Sequence, residues 1–379
     1  MSDTLSPAPG KRIASLGEGM WFAAALLLLI PVYLGHFDTG KLKYLLYAGS
    51  LAAYGLLCVK IFFLDGHSRK ELLAFSPALA ILVAGMVFSG TRAVLSTFLL
   101  ATGAKNVPFR KISRAFFWFF GITFLLNLSL VLVGVLEDTV TIRGESIGYG
   151  NRRHSFGFGH PNNLGLWAML IVFSALLCPK KGWVVTLDAL AFSVAIFLLC
   201  DSKAAFFSSL AAIAACALGN RLCGSLSGKK YPALLSAGLM ILIPFLFLAM
   251  SLLFQPGSRF WELANTALSQ RLGYSRQGLD AFGFSLMGAK VHFGWDPVDS
   301  LYAYMPICIG ILPSLIFLGL HVYSVYRAAR HGRWDIVAVA LAGCLYSTME
   351  YALMNPVQLP LFATCACLDD PAPRQDSAL

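Results

Sequence analysis

Residues 232–254 read PALLSAGLMILIPFLFLAMSLLF, a run with no charged side chain on any face. As a helix rising about 1.5 Å per residue it crosses the ~30 Å hydrocarbon layer of a bilayer. A helix on the surface of a soluble domain keeps one polar face, and this one has none. Comparable runs recur at about 20–35, 44–63, 73–90, 92–104, 115–136, 162–178, 183–200, 204–219, 301–326, 336–354 and 356–368. Those at 92–104 and 356–368 are short enough to be tilted or half-spanning. The pattern predicts an all-α polytopic membrane bundle of roughly 11–12 transmembrane helices.

Composition agrees. The chain is 58% hydrophobic and 13% charged, where a soluble domain carries about a quarter charged residues. The polar stretch 1–19 is expected to be a cytoplasmic tail, 20–368 a single membrane domain and 369–379 a C-terminal tail. Lys11 and Arg12 ahead of Trp21–Leu34 imitate a signal peptide, but no small-residue cleavage site follows, so an uncleaved first helix is expected. The nine cysteines lack a CxxC pair and fall mostly inside apolar runs, which suits small core side chains better than a disulfide framework.

The net charge of +10 needs no nucleic acid, because membrane proteins keep Lys and Arg in their cytoplasmic loops. With the N-terminus inside, Arg69, Lys70, Lys105, Arg110, Lys111, Arg114, Arg221, Lys229, Lys230, Arg327, Arg330 and Arg333 fall in short inner loops. The outer side then holds fewer cations over longer loops. That orientation places two long segments outside, 137–160 and 255–300, and long loops in compact architectures carry function.

The first outer loop ends in NRRHSFGFGHPNNLG at 151–165. Pro161 suits the first turn of a helix and holds His160 extended. Arg152, Arg153, His154, His160 and Asn162 thus gather where a membrane helix begins, and a helix N-terminus favours anions. Asp201-Ser202-Lys203 is a charged triplet between two apolar runs, either a polar tight turn or a site. In the second loop Arg276 and Asp280 stand four apart and are expected to pair on a helix surface. Arg271 has no partner at that spacing on its C-terminal side, which leaves it available for an anion. Asp299 precedes the run 301–326 as a helix cap would, and it would share a helical face with Tyr302. Asp296 and Asp299 are separated by Pro297 and make no metal site. No Walker A loop, HExxH or nucleophile elbow is present.

The order of these pieces resembles a family. RRHSFGFGHPNNLG, Asp201-Ser-Lys203, ALSQRLGYSRQGLDAFGFSLMGAKV and VDSLYAYMPICIGI follow one another as in Wzy-type polysaccharide polymerases of the O-antigen ligase/polymerase superfamily. The resemblance covers about residues 105–355. It implies a GT-C-like glycosyltransferase of the cytoplasmic membrane. Such an enzyme joins oligosaccharide repeats carried on undecaprenyl diphosphate into capsular or exopolysaccharide at the outer face. It inverts the anomeric centre and uses neither metal nor cofactor.

Chain-length regulator and flippase proteins are the partners such an enzyme has, besides membrane lipid. Arg153, Lys203 and Arg271 are then expected to hold the diphosphate, since cations stabilise the leaving group. The ligases carry a His nine residues and one polar position before a Gly. Here Asp299 and Ser300 stand at that distance from Gly310, so Asp299 is the expected base, with His160 second. Relatives commonly carry Arg where this chain has Lys203, which gives less geometric control of a phosphate. Arg152, His154, Asn162, Arg276 and Tyr302 complete the candidates. The rival readings are a ligase moving finished glycan to another acceptor and a transporter of lipid-linked oligosaccharide. A transporter needs charges lining several spans, and here the cations collect at one face.

Overall fold

The structure, a computed structural model, describes residues 11–37, 39–143, 150–178, 182–222, 229–291 and 298–368. Helices α1 (Lys11–Leu34) and α2 (Leu42–Val59) pack together, and α2 continues through a π-helical turn at Lys60–Leu64. Helix α3 (Arg69–Ser89) starts from a capping box between Ser68 and Glu71. Next come α4 (Ala93–Gly103) and α5 (Phe109–Leu132). Strands β1 (Val140–Arg143) and β2 (Asn151–His154) form a small antiparallel ribbon in register Val140 opposite His154. Helices α6 (Pro161–Leu177), α7 (Trp183–Cys200), α8 (Lys203–Leu222) and α9 (Lys230–Leu253) follow. The short amphipathic α10 (Arg259–Ala267) and α11 (Arg271–Phe282) lie in the long loop. The chain ends with α12 (Leu301–Tyr304), α13 (Ile311–Arg330) and α14 (Trp334–Tyr346).

Among the described residues seven helices are long and apolar enough to cross a membrane: α1, α2 with its π turn, α3, α5, α7, α9 and α13. The chain is an all-α polytopic membrane protein. The long helices bury only 17–39% of their apolar windows in the protein, so side chains such as Leu125, Leu198, Leu242 and Phe245 face outward. Helices α4, α6 and α14 differ. They have 11, 17 and 13 residues, and every residue of α4 is buried. At about 1.5 Å per residue α4 covers only ~16 Å. It is apolar on all faces because protein surrounds it, not because lipid does. Helix α6 packs against α5, α7 and α8, and α14 against α8, so the short helices form the centre and the long ones the shell.

Three expectations need correction. The tail expected at 1–19 is helical from Lys11 onward; residues 1–10, 369–379, Cys223 and Asp296 lie outside the described residues. The run 301–326 is not one helix. It is α12, a π-helical turn at Met305–Ile309, and α13 after a break at Gly310. Gly310 has φ +101°, which a side chain rarely adopts, and a Cβ there would collide with the backbone of Met287 and Gly288. Residues 285–289 close on this break: Ser285 and Ala289 donate to the carbonyls of Pro306 and Cys308, and Ile311 and Leu312 donate to Ser285 and Leu286. Broken backbone at membrane depth survives only when protein satisfies it in this way. Finally, the run 356–368 is not a span but short 3₁₀ turns around Leu359–Thr364. Pro356 and Pro360 lack the N–H that helix propagation needs, and Leu361 and Phe362 are fully buried between neighbouring helices.

Candidate functional site

Five side chains from distant stretches form one connected chain. Arg153, at the end of β2, donates from Nε to the Cys200 carbonyl at 2.9 Å and from Nη2 to Asn162 Oδ1 at 2.6 Å. Asn162 donates from Nδ2 to Glu350 Oε1 at 2.8 Å. Glu350 accepts Arg271 Nη2 at 3.2 Å. Arg271 Nη1 lies 2.6 Å from Asp299 Oδ2, and its Nε donates to the Met349 carbonyl at 2.9 Å. The Arg271, Asp299 and Glu350 side chains are 14–19% exposed.

Local structure aims each of them. His160 is extended at φ −147°, ψ 141°, and caps α6, accepting the Asn162 N–H on Nδ1 at 3.1 Å. Pro161 takes the first turn as expected. The loop before it is pinned by Asp138, which accepts the Ser155 and Phe156 N–H groups and pairs with His154 at 2.6 Å. Arg271 opens α11 at a corner held by Asn265. The Asn265 side chain donates to Gln270 Oε1 at 2.5 Å and accepts from Gly273 N at 3.0 Å. Asp201 closes α7 in the left-handed region at φ 47°, so the Asp201-Ser202-Lys203 triplet is a tight turn between α7 and α8. A Cβ on Gly165 would lie 2.6 Å from Ser202 Oγ. Only glycine lets α6 approach that turn this closely.

The chain of residues borders a polar cavity of about 820 Å³ lined by His160, Asn162, Asp299, Glu350, Tyr351 and Asn355 together with the ends of α1, α2 and α4. Burial raises the pKa of Glu350 to about 7 against the pull of Arg271, and neighbouring Asp299 adds to the rise. Burial also raises Asp299, opposed by Arg271. His160 is open to the cavity, yet the surrounding protein, with Arg153 and Arg271, lowers its pKa. The site therefore presents a neutral imidazole and two carboxyls tied to one guanidinium. Close by, an apolar recess of about 280 Å³ is lined by Leu248, Leu301, Tyr302, Met305, Cys344 and Ser347. Among the described residues no group of three or more His, Cys, Asp or Glu side chains is placed to hold a metal ion.

The structure thus brings Arg153, His160, Asn162, Arg271 and Asp299 together. Lys203 starts α8 just beyond Cys200 with its side chain exposed. Arg152 is exposed on β2. Arg276 pairs with Asp280 at 2.7 Å, as its spacing predicts. Tyr302 turns into the apolar recess, where its hydroxyl donates to the Cys344 carbonyl at 2.8 Å. Two expectations are corrected. Arg271 has no acid at helical spacing, as expected, yet it is not unpaired: Asp299 and Glu350 both bind it, contributed by segments too far along the chain for helical spacing to reveal. Asp299 is not the cap of α12; Ser300 holds that position. Glu350 and Asp138 were missed. Glu350 had a signal, as the one acid within the apolar run 336–354.

Compared with known proteins, the chain has no significant match to a family model, a curated protein or a solved structure.

Proposed function

We propose that the chain is a membrane glycosyltransferase that polymerises undecaprenyl-diphosphate-linked oligosaccharide repeats at the outer face of the cytoplasmic membrane. The observation that carries this reading is the chain Arg153–Asn162–Glu350–Arg271–Asp299, of which Asn162, Glu350 and Asp299 line a polar cavity at the ends of membrane helices and the two arginines stand behind them. Glycosyl transfer from a lipid diphosphate needs three things: a base, cations for the leaving group and room for a hydrocarbon tail. An acceptor hydroxyl oxygen attacks the anomeric carbon as its proton passes to a carboxylate. The bond from that carbon to the diphosphate oxygen breaks, and the electron pair leaves with the diphosphate. Arg153 and Arg271 border the site as donors for that charge, and the apolar recess beside Tyr302 suits the first part of a lipid chain.

Asp299 is the base in this reading, held in place by Arg271. His160 is less suited. Its Nδ1 accepts the Asn162 N–H, so the neutral ring carries its proton on Nε2 and has no lone pair left for a substrate proton. Glu350, poised near neutrality, is the second carboxyl able to hold a proton.

The test is complementation of a strain lacking the gene, with glycan length read on a gel and protein level on a blot. Asp299→Asn at normal expression is expected to leave single repeat units, since loss of a general base typically slows a reaction about 10²-fold or more. Full-length polymer from a strain lacking the gene altogether sinks the polymerase reading. Normal-length polymer that stays on its lipid carrier in that strain points to the ligase instead.

A further inference from the structure

The polar cavity has another wall, built from the ends of α1, α2 and α4, and the sequence candidates include none of its residues. Arg92 stands there, directly before α4. Its guanidinium carbon lies 3.6 Å from the centroid of the Tyr47 ring. Its Nη1 is shielded from solvent and has no hydrogen-bond partner. Among the described residues no carboxylate lies within ion-pair distance of Arg92. It is the only Lys or Arg among the described residues that line the cavity.

The carboxyls that share the cavity are turned toward Arg271, at 2.6 Å for Asp299 and 3.2 Å for Glu350, and neither forms an ion pair with Arg92. His36 nearby is no second cation: burial pushes its pKa down to about 4, which leaves it neutral. The first backbone N–H groups of α4 lie at the same place. Ala93 lines the cavity, and Ser96 is the residue whose N–H reaches back to the Arg92 carbonyl, at 2.9 Å. A guanidinium with no carboxylate partner among the described residues and the positive end of a helix therefore meet at one polar cavity. Stacking on Tyr47 accounts for the position of the Arg92 side chain, but not for a permanent charge with no counter-ion among the described residues beside a cavity of about 820 Å³.

We infer that Arg92 anchors an anionic group of the acceptor molecule in the same cavity that holds the Asp299 carboxylate. The inference rests on the glycosyl-transfer reading for the word acceptor. In polymerisation both substrates carry a diphosphate, and Arg153 with Arg271 serves only one of them. The anion is either the acceptor's own diphosphate or the carboxylate of an acidic sugar.

The experiment uses the full chain purified in detergent, with its unfolding temperature followed by tryptophan fluorescence. Inorganic pyrophosphate and glucuronate are the two probes. Pyrophosphate is expected to raise the unfolding temperature of the native protein, Arg92→Gln to lower that rise to the part that Arg153 and Arg271 support, and Arg92→Lys to weaken the apparent affinity of the Arg92-dependent part about tenfold, since Lys keeps the charge and loses the fork. Equal protection by glucuronate assigns the acidic sugar, and protection by pyrophosphate alone assigns the diphosphate. Should Arg92→Gln fail to fold, the Arg92→Lys titration decides: unchanged affinity overturns the proposal. An equal rise in native protein and Arg92→Gln, or no rise with either anion, also overturns it. Full-length polymer from the strain lacking the gene together with Arg92-dependent binding would remove the glycosyl-transfer reading and leave this anion site. Arg92-independent binding with Asp299-dependent polymer would remove the site alone.

Discussion

Arg271 Nη1 and Asp299 Oδ2 lie 2.6 Å apart. That pair joins the start of α11 to the segment before α12, and the same guanidinium also binds Glu350 and the Met349 carbonyl beyond α14. Three stretches of chain that are remote in sequence are fixed by one planar cation.

Removing that cation leaves two carboxyls facing each other in a poorly solvated place. Arg271→Ala is expected to destabilise the protein by about 3 kcal/mol, in the range found when one partner of a buried ion pair is deleted. Arg271→Lys is expected to recover less than half of this, because one ammonium cannot reproduce a planar fork aimed at three acceptors. Unfolding temperature in detergent reads both. An Arg271→Ala protein as stable as the native one contradicts the hub role.

Glu350 sets a pH dependence. Its pKa rises from 4.5 to about 7 in the folded protein, so the folded state binds the proton more tightly than the unfolded state. The stability this contributes is fully present below about pH 4.5 and is lost as pH rises through about 7. A shift of this size corresponds to roughly 3 kcal/mol. Glu350→Gln removes the titration, so the variant is expected to gain stability relative to the native protein between pH 5 and pH 8, by an amount of that order. A constant difference across that range refutes the shift.

Gly165 tests the close approach of α6 to the turn at Ser202. Gly165→Ala places a methyl against Ser202, which is buried and cannot move aside. Overpacking of this kind costs about 1–3 kcal/mol. Ser202→Gly in the same chain removes the opposing Cβ and is expected to restore most of the loss, whereas Ser202→Ala keeps that Cβ and is not. Equal behaviour of the two double variants would show that the clash lies elsewhere.

Orientation is open to a direct test. In a Cys-free background, Gly150→Cys is expected to react with a membrane-impermeant maleimide in intact cells. The cation-rich ends at Lys105–Arg114 and Arg327–Arg333 are expected to anchor the other side. Labelling at position 150 only after permeabilisation reverses the assignment, and with it the proposal that the cavity opens outward.

The sequence by itself determined that this chain lives in a membrane. A run such as 232–254 has no polar face to offer water, and no tertiary arrangement can alter that. It also pointed to half of the candidate site, because the turn-forming residues around Arg153, His160 and Pro161 leave a local signal. What it left undecided is which apolar runs meet lipid and which meet protein. Both environments select the same side chains, so the buried α4 and the lipid-facing α3 read alike. Nor did it show that Arg271, Asp299 and Glu350 meet. Ion pairing depends on distance in space, and helical spacing reports only neighbours three or four residues apart. Only the folding of the segment before α12 and the turn after α14 onto the start of α11 brings the three charges together, where low solvation makes their mutual attraction count.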